Sequence, residues 1–390
     1  MKRTMLFLFV LSLLMFMPVL TQAADEPGAV YAMTNADDGN EIVVYHRAAD
    51  GALTLVDTVA TGGNGKTTEP DDALGSQGPL LLLSPDHRFL FAVNAGSNTI
   101  SAFQIDQDNL TLLEAVPSGG DFPVSLTVHQ NLLYVLNAGN DGNITGFTFD
   151  NTGHLTPLAG STRSLNAGGT NPPNFLNSPA EVGFNPAGDK LVVTVKGALT
   201  HEPKIHVFTI DGNGLPSAQP VTHATNVPFG FVFDDLNNLI VAEPFGPGFP
   251  PPGPPNSFGA ASSYRIGSNG SLTPISTSVS NGQLATCWIA ITTNTRFAYT
   301  TNNGTDTISS YKVGSDGSLS LISQIAAETG HAPVDLAITP NNQYLYNVNA
   351  GSGTVSMFKI NQSDGSLISL GEIGGLPDDG SGSAVGIAAR

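Results

Sequence analysis

GPLLLLSPDHRFLFAVNAGSNTISAFQIDQDNLTL, residues 78–112, opens four short apolar or alternating runs: Leu80–Leu83, Phe89–Val93, Thr99–Ile105 and Leu110–Val116. SPDHR, NAGSN and DQDN separate them. Short β-branched runs bounded by Pro, Asp, Asn and Gly are strands joined by hairpins, because those residues supply the backbone angles that tight turns need. The stretch therefore predicts one four-stranded antiparallel sheet.

The same unit recurs along the chain. Its middle turn returns as NAG at Asn94, Asn137 and Asn349, as NNG at Asn302 and as NAD at Asn35, with Val195 and Glu243 in the corresponding places of two further copies. Its last turn places a leucine at 53, 110, 155, 215, 272, 319 and 367, so the spacing runs from 45 to 60 residues. Four strands at that period describe an all-β, seven-bladed β-propeller rather than a helical solenoid. The first unit, from Gly28, lacks an innermost strand, whereas the chain ends in SAVGIAAR, which aligns with APVDLAIT of the seventh unit. The carboxyl-terminal strand is thus predicted to fill the open edge of blade 1 and close the ring. One blade cannot bury both faces of its sheet, so residues 24–390 are expected to form a single domain.

Residues 1–23 read as a cleaved secretory signal: Lys2 and Arg3, an apolar run from Met5 to Leu20, then small residues ending in Ala23. The expectation is a secreted or periplasmic protein, not held in a membrane after cleavage. The single cysteine, Cys287, excludes an intrachain disulfide. Cleavage leaves 12 cationic against 32 acidic residues, a formal charge of −20. That field repels nucleic acid and disfavours phosphorylated substrates. Asp71-Asp72, Asp234-Asp235 and Asp378-Asp379 carry oxygen ligands without EF-hand spacing. No metal, cofactor or nucleic-acid partner is expected, and the chain is read as a monomer.

Irregular sequence concentrates on one face of the expected disc. It lies in the blade 1–2 connection Thr61–Gln77, the blade 3–4 segment Asn166–Asn177, the blade 4 insertion Val195–Lys204 and the Pro-rich blade 5 loop Glu243–Gly259. Long loops on a rigid scaffold are where binding and catalysis concentrate. Aligning the innermost strands gives a ring of equivalent positions facing the axis: Leu80, Ser125, Glu181, Gly230, Trp288, Asp335 and Gly386. Glu181 and Asp335 are read as acid/base candidates, since low-dielectric walls raise carboxyl pKa values. The alternative is that each accepts hydrogen bonds from backbone amides. His201 is a further acid/base candidate, with Lys196 and Lys204 as anion-binding cations and Glu243 and His331 as other contacts with substrate. Trp288 is either an apolar wall for a ring-shaped ligand or a channel plug.

LSPDHRFLFAVNAGSNTISAFQI, TPNNQYLYNVNAGSGTVSMFKI and SDGSLSLI resemble the YVTN-type repeats of the lactonase family of seven-bladed propellers. VPFGFVFDDLNNLIVAEP, AASSYRI and NGQLATCWIAIT resemble one branch of it. The resemblance implies opening or closing a lactone by proton transfer without a cofactor, as in propeller 6-phosphogluconolactonases and carboxy-cis,cis-muconate cyclases. In the cyclases His, Glu and Arg side chains of the central funnel are associated with that work. Glu181 sits in a similar place here, while no arginine falls on the ring. Two functions are therefore carried forward. One is an exported lactonase-like hydrolase acting on a small lactone or sugar acid derivative. The other is a non-catalytic propeller presenting its long-loop face to a protein or glycan.

Overall fold

The computed structural model describes residues 26–69, 72–82, 86–107, 109–200, 202–245, 258–378 and 384–390. The expected signal, His201 and residues 246–257 of the Pro-rich loop lie outside them.

Seven antiparallel sheets follow one another along the chain. Their innermost strands are Leu80–Leu82, Pro123–His129, Pro179–Phe184, Phe231–Phe233, Thr286–Ile291 and Pro333–Ile338, with Val385–Ala389 as the seventh. That last strand pairs with Gly28–Met33 in the register Val30↔Ala389 and Ala32↔Ile387. Sequence order and spatial order therefore part only in blade 1, where the ring closes as expected. Arg47 ties both described ends together, donating to the carbonyls of Glu26 (2.8 Å) and Arg390 (3.1 Å). Blade 3 departs from four plain strands. Its outer strand is broken into Leu155–Pro157 and Arg163–Ser164, both paired to Asn143–Phe149. Pro157 has no N–H to continue a ladder, and Gly160 turns with φ 75°.

The second strand of each blade explains why the core lies between blades. Phe89–Asn94, Lys190–Val195, Asn238–Glu243, Phe297–Asn302 and Tyr344–Asn349 are buried at every position. A strand covered on both faces has no reason to alternate polar and apolar residues. The recurrent turn asparagines use the ends of these strands. Asn302 accepts from Asn281 (2.9 Å) and Thr286 (2.7 Å), and donates to Thr307 (3.0 Å) and Ser309 (2.9 Å). Asn94 and Asn349 likewise donate to the hydroxyls five and seven residues on.

Neighbouring blades are keyed by the glycine of the last hairpin. Tyr134, Tyr299 and Tyr346 donate their hydroxyls to the carbonyls of Gly214, Gly365 and Gly51, each in the next blade. These glycines have φ of 80°, 77° and 88°. At Gly365 an added Cβ would stand 2.5 Å from Phe297 Cδ1 of the preceding blade. Positive φ and close approach together admit only glycine. Gly365→Ala is expected to destabilise the fold by roughly 2–4 kcal/mol, read from the denaturant midpoint. Gly212→Ala, where nothing lies within 4 Å, should change it little.

Candidate active site

The innermost strands expose one unpaired edge to the axis, and their ring residues deal with it. Register shifts fall at Pro123/Ser125, Pro179/Glu181, Thr286/Trp288 and Pro333/Leu336, so these inward positions sit on bulges that re-aim their side chains. Each polar ring residue then staples its blade to the next. Ser125 accepts from the Val182 amide (3.2 Å), Glu181 from Phe231 (2.5 Å) and Asp335 from Gly386 (3.0 Å). Burial drives the carboxyl of Glu181 well above its ordinary range, against the Phe231 hydrogen bond. Burial likewise pushes Asp335 from 3.8 up to about 7, against the Gly78 and Gly386 hydrogen bonds.

The blade 1–2 connection runs through the middle of this ring. Gln77 donates to Glu181 (3.4 Å), Phe231 O (3.3 Å) and Ile289 O (3.1 Å), and accepts from Ile289 N (2.8 Å). Gly78 donates to Asp335 (3.2 Å) and accepts from Leu126 N (2.9 Å). Trp288 is fully buried under the same segment: its indole N–H donates to Ser76 O (2.7 Å), and Phe229 packs edge-on at 5.0 Å. Trp288 thus lines neither described cavity.

The segment divides the axis into two chambers. One, about 270 Å³, is lined by Gln77, Glu181 and Asp335 with Thr127, Phe184 and Phe233, which follow the ring positions toward the short-turn face. The other, about 110 Å³, lies among the long loops and is lined by Asp72, Phe175, Lys196, Phe229, Phe245 and Cys287, among others. Glu181 and Lys196 therefore do not meet in one chamber. Lys204 lies 3.8 Å from Glu202, and exposed His331 lies 3.2 Å from Asp306. Glu243 is buried inside blade 5, accepting from Ser262 and Ser278 at 2.6 Å each, where other blades use their turn asparagine. None of these three lines either chamber.

The long-loop chamber is lined by two buried groups of opposite charge, Asp72 and Lys196. Lys196 is 2% exposed and Asp72 4% exposed. Both are anchored to Gly75: its amide donates to Asp72 Oδ1 (2.8 Å), and Lys196 Nζ donates to its carbonyl. The ammonium lies 4.9 Å from the Phe229 ring centre and 5.1 Å from that of Phe175, within cation–π range. Asp72 Oδ2 is buried without a hydrogen-bond partner. Burial raises the Asp72 carboxyl, and the Lys196 charge counters part of that shift. Burial lowers the Lys196 ammonium, and Asp72 counters part of that. Gly75 has φ 60°, and a Cβ there would meet Lys196 Nζ at 2.8 Å.

Sequence reasoning placed Lys196 on the right face and treated Asp72 only as an oxygen donor for calcium. A signal was present: Ala73 and Leu74 are an apolar pair in an otherwise polar connection, and both are buried. They mark where that connection dives back into the protein.

The Asp335 shift has a sign that unfolding can read. A carboxyl protonated in the folded chain and ionised in the unfolded one makes stability fall as pH rises from about 4 to about 7. Asp335→Asn is expected to flatten that decline by on the order of 2–4 kcal/mol. Denaturant midpoints at pH 4.5 and 7.5 supply the comparison.

The fold has many known counterparts. A candidate 6-phosphogluconolactonase from Bacteroides uniformis superposes with a TM-score of 0.69 at 18% identity, over 94% of this chain and 100% of its own. A periplasmic gluconolactonase from Pseudomonas aeruginosa gives 0.66 at 19%, over 90% and 98%. A protein from Lactobacillus plantarum gives 0.69 at 19%, over 93% and 98%. No protein of curated function matches by sequence. The family described as "Lactonase, 7-bladed beta-propeller" matches residues 30–169 and 269–375, more than half of the chain. Those segments carry the five turn asparagines and six of the seven turn leucines, and the chain belongs to the lactonase family of seven-bladed β-propellers.

Proposed function

We propose that the protein is a lactonase-like hydrolase whose reaction takes place in the long-loop chamber. The observation that carries this reading is the shared anchoring of Asp72 and Lys196 on Gly75, facing one apolar cavity, with Asp72 Oδ2 unpaired. A carboxylate whose affinity for protons is raised by burial suits general-base work near neutral pH. An ammonium in a water-poor pocket suits stabilisation of an oxyanion. Family membership supports the reaction class, and the order basic, apolar, small in residues 2–24 supports export.

The chemistry follows from those two groups. The lactone carbonyl oxygen accepts a hydrogen bond from Lys196. Asp72 Oδ2 takes one proton from water as the water oxygen bonds to the carbonyl carbon. Lys196 holds the resulting oxyanion. The bond between that carbon and the ring oxygen then breaks, and Asp72 returns its proton to the departing oxygen. The product is a hydroxy acid, which ionises and is repelled by a strongly anionic protein.

Asp72→Asn is expected to lower kcat/KM by about 10²–10⁴, and Lys196→Met by about 10²–10³, with unfolding midpoints showing that each variant folds. Activity should rise with pH later than an ordinary carboxyl would allow and fall earlier than an ordinary lysine would. In Lys196→Arg the alkaline fall should vanish, because guanidinium keeps its proton. Unchanged turnover in Asp72→Asn would refute this assignment. A chain with no lactone turnover at any pH would favour the non-catalytic alternative, presentation of the long-loop face to a protein or glycan.

A further inference from the structure

We infer that the long-loop chamber selects a small uncharged lactone with apolar ring substituents, and discriminates against sugar lactones and their phosphates. This inference rests on the lactonase reading above and names its substrate class.

The argument is a balance of hydrogen-bonding groups. Of the twelve described lining residues, only Asp72, Lys196, Cys287 and Asn303 are polar. Asp72 Oδ1 is taken by the Gly75 amide, leaving Oδ2. Lys196 gives one N–H to Gly75 O and lies against two aromatic rings, leaving its other hydrogens for the chamber. The Asn303 amide donates to Pro333 O at 3.4 Å. Cys287 is a weak donor, and burial holds it as the thiol. The chamber thus offers an ammonium and one unpaired carboxylate oxygen, beside an Asn303 amide that Pro333 engages in part. A lactone carbonyl and the attacking water use the first two, which leaves little for further hydroxyls.

A glucono-lactone ring would bring several hydroxyls that find apolar side chains instead. Each hydroxyl buried without a partner gives up its bonds to water. A phosphate ester would bring two negative charges to a chamber holding a single cation. Exposed Glu69 also adds to the negative field at Asp72. Size agrees: about 110 Å³ suits a five- or six-membered ring with a short alkyl arm. The apolar walls Phe175, Leu176, Val227 and Phe229 would pack on that ring.

The experiment compares δ-valerolactone and γ-caprolactone with glucono-δ-lactone and 6-phosphoglucono-δ-lactone, following proton release by the full chain. In parallel, δ-valerolactam and D-gluconolactam, which resist hydrolysis, are titrated calorimetrically. The expected result is a kcat/KM for the alkyl lactones at least about 10²-fold above that for glucono-δ-lactone. No turnover of the phosphate should be detected. δ-Valerolactam should bind, D-gluconolactam should bind at least tenfold more weakly, and Lys196→Met should lose both. Sugar lactones or their phosphates turned over as well as alkyl lactones would overturn the substrate class and leave the hydrolase reading standing. Selective binding of δ-valerolactam without turnover of any lactone would overturn the hydrolase reading and keep the selectivity. Binding of neither lactam, with no turnover, would overturn both.

Discussion

An innermost propeller strand is paired on one side and open on the other, and the open side faces the axis. Its amides need partners, because a buried N–H left alone costs about as much as a lost hydrogen bond. In this protein they are satisfied across blades, by Ser125, Glu181 and Asp335, by the side-chain oxygen of Gln77 and by the carbonyl of Gly78. That requirement explains three features together: polar residues at the ring, bulges that aim them, and a connection that fills the axis. The channel is consequently partitioned rather than open, and the two faces of the disc carry separate chambers.

The partition also separates two kinds of buried carboxyl. Glu181 and Asp335 have both oxygens engaged by donors, so their burial is matched by structural bonds. Asp72 is different: its outer oxygen has no partner, and its counter-charge, Lys196, is held by aromatic faces and one carbonyl. Burying such a pair opposes folding through desolvation. The seven-bladed ring supplies the rigidity and apolar contact that offset it, and incompletely satisfied polar groups of this kind are a feature of reactive sites.

The architecture was legible because it repeats. Leucines after the last turn recur seven times and strand-end asparagines five times, so one noisy copy does no harm, and the missing inner strand of unit 1 shows where the ring closes. The ring positions were legible too, by alignment, though not that they bond to the next blade, since that depends on which amide a bulge brings near. Asp72 was hidden for the opposite reason. It lies in a connection that occurs once, and its relation to Lys196 spans 124 positions of sequence and exists only after Gly75 has been threaded between blades. The broken outer strand of blade 3 was announced locally by Pro157 and Gly160, in a run otherwise patterned like its siblings.

The closing strand, Val385–Ala389, follows every other described strand in chain order. During synthesis on a ribosome the amino-terminal blade therefore emerges with its inner border bare and waits for the whole remaining circuit to be translated. Throughout that interval Val30–Met33 offers an unoccupied hydrogen-bonding rail to any extended segment passing by. Late sealing makes a nascent or carboxyl-terminally clipped chain a substrate for holdase chaperones, and makes swapping of the tail between two molecules the misassembly that this topology invites.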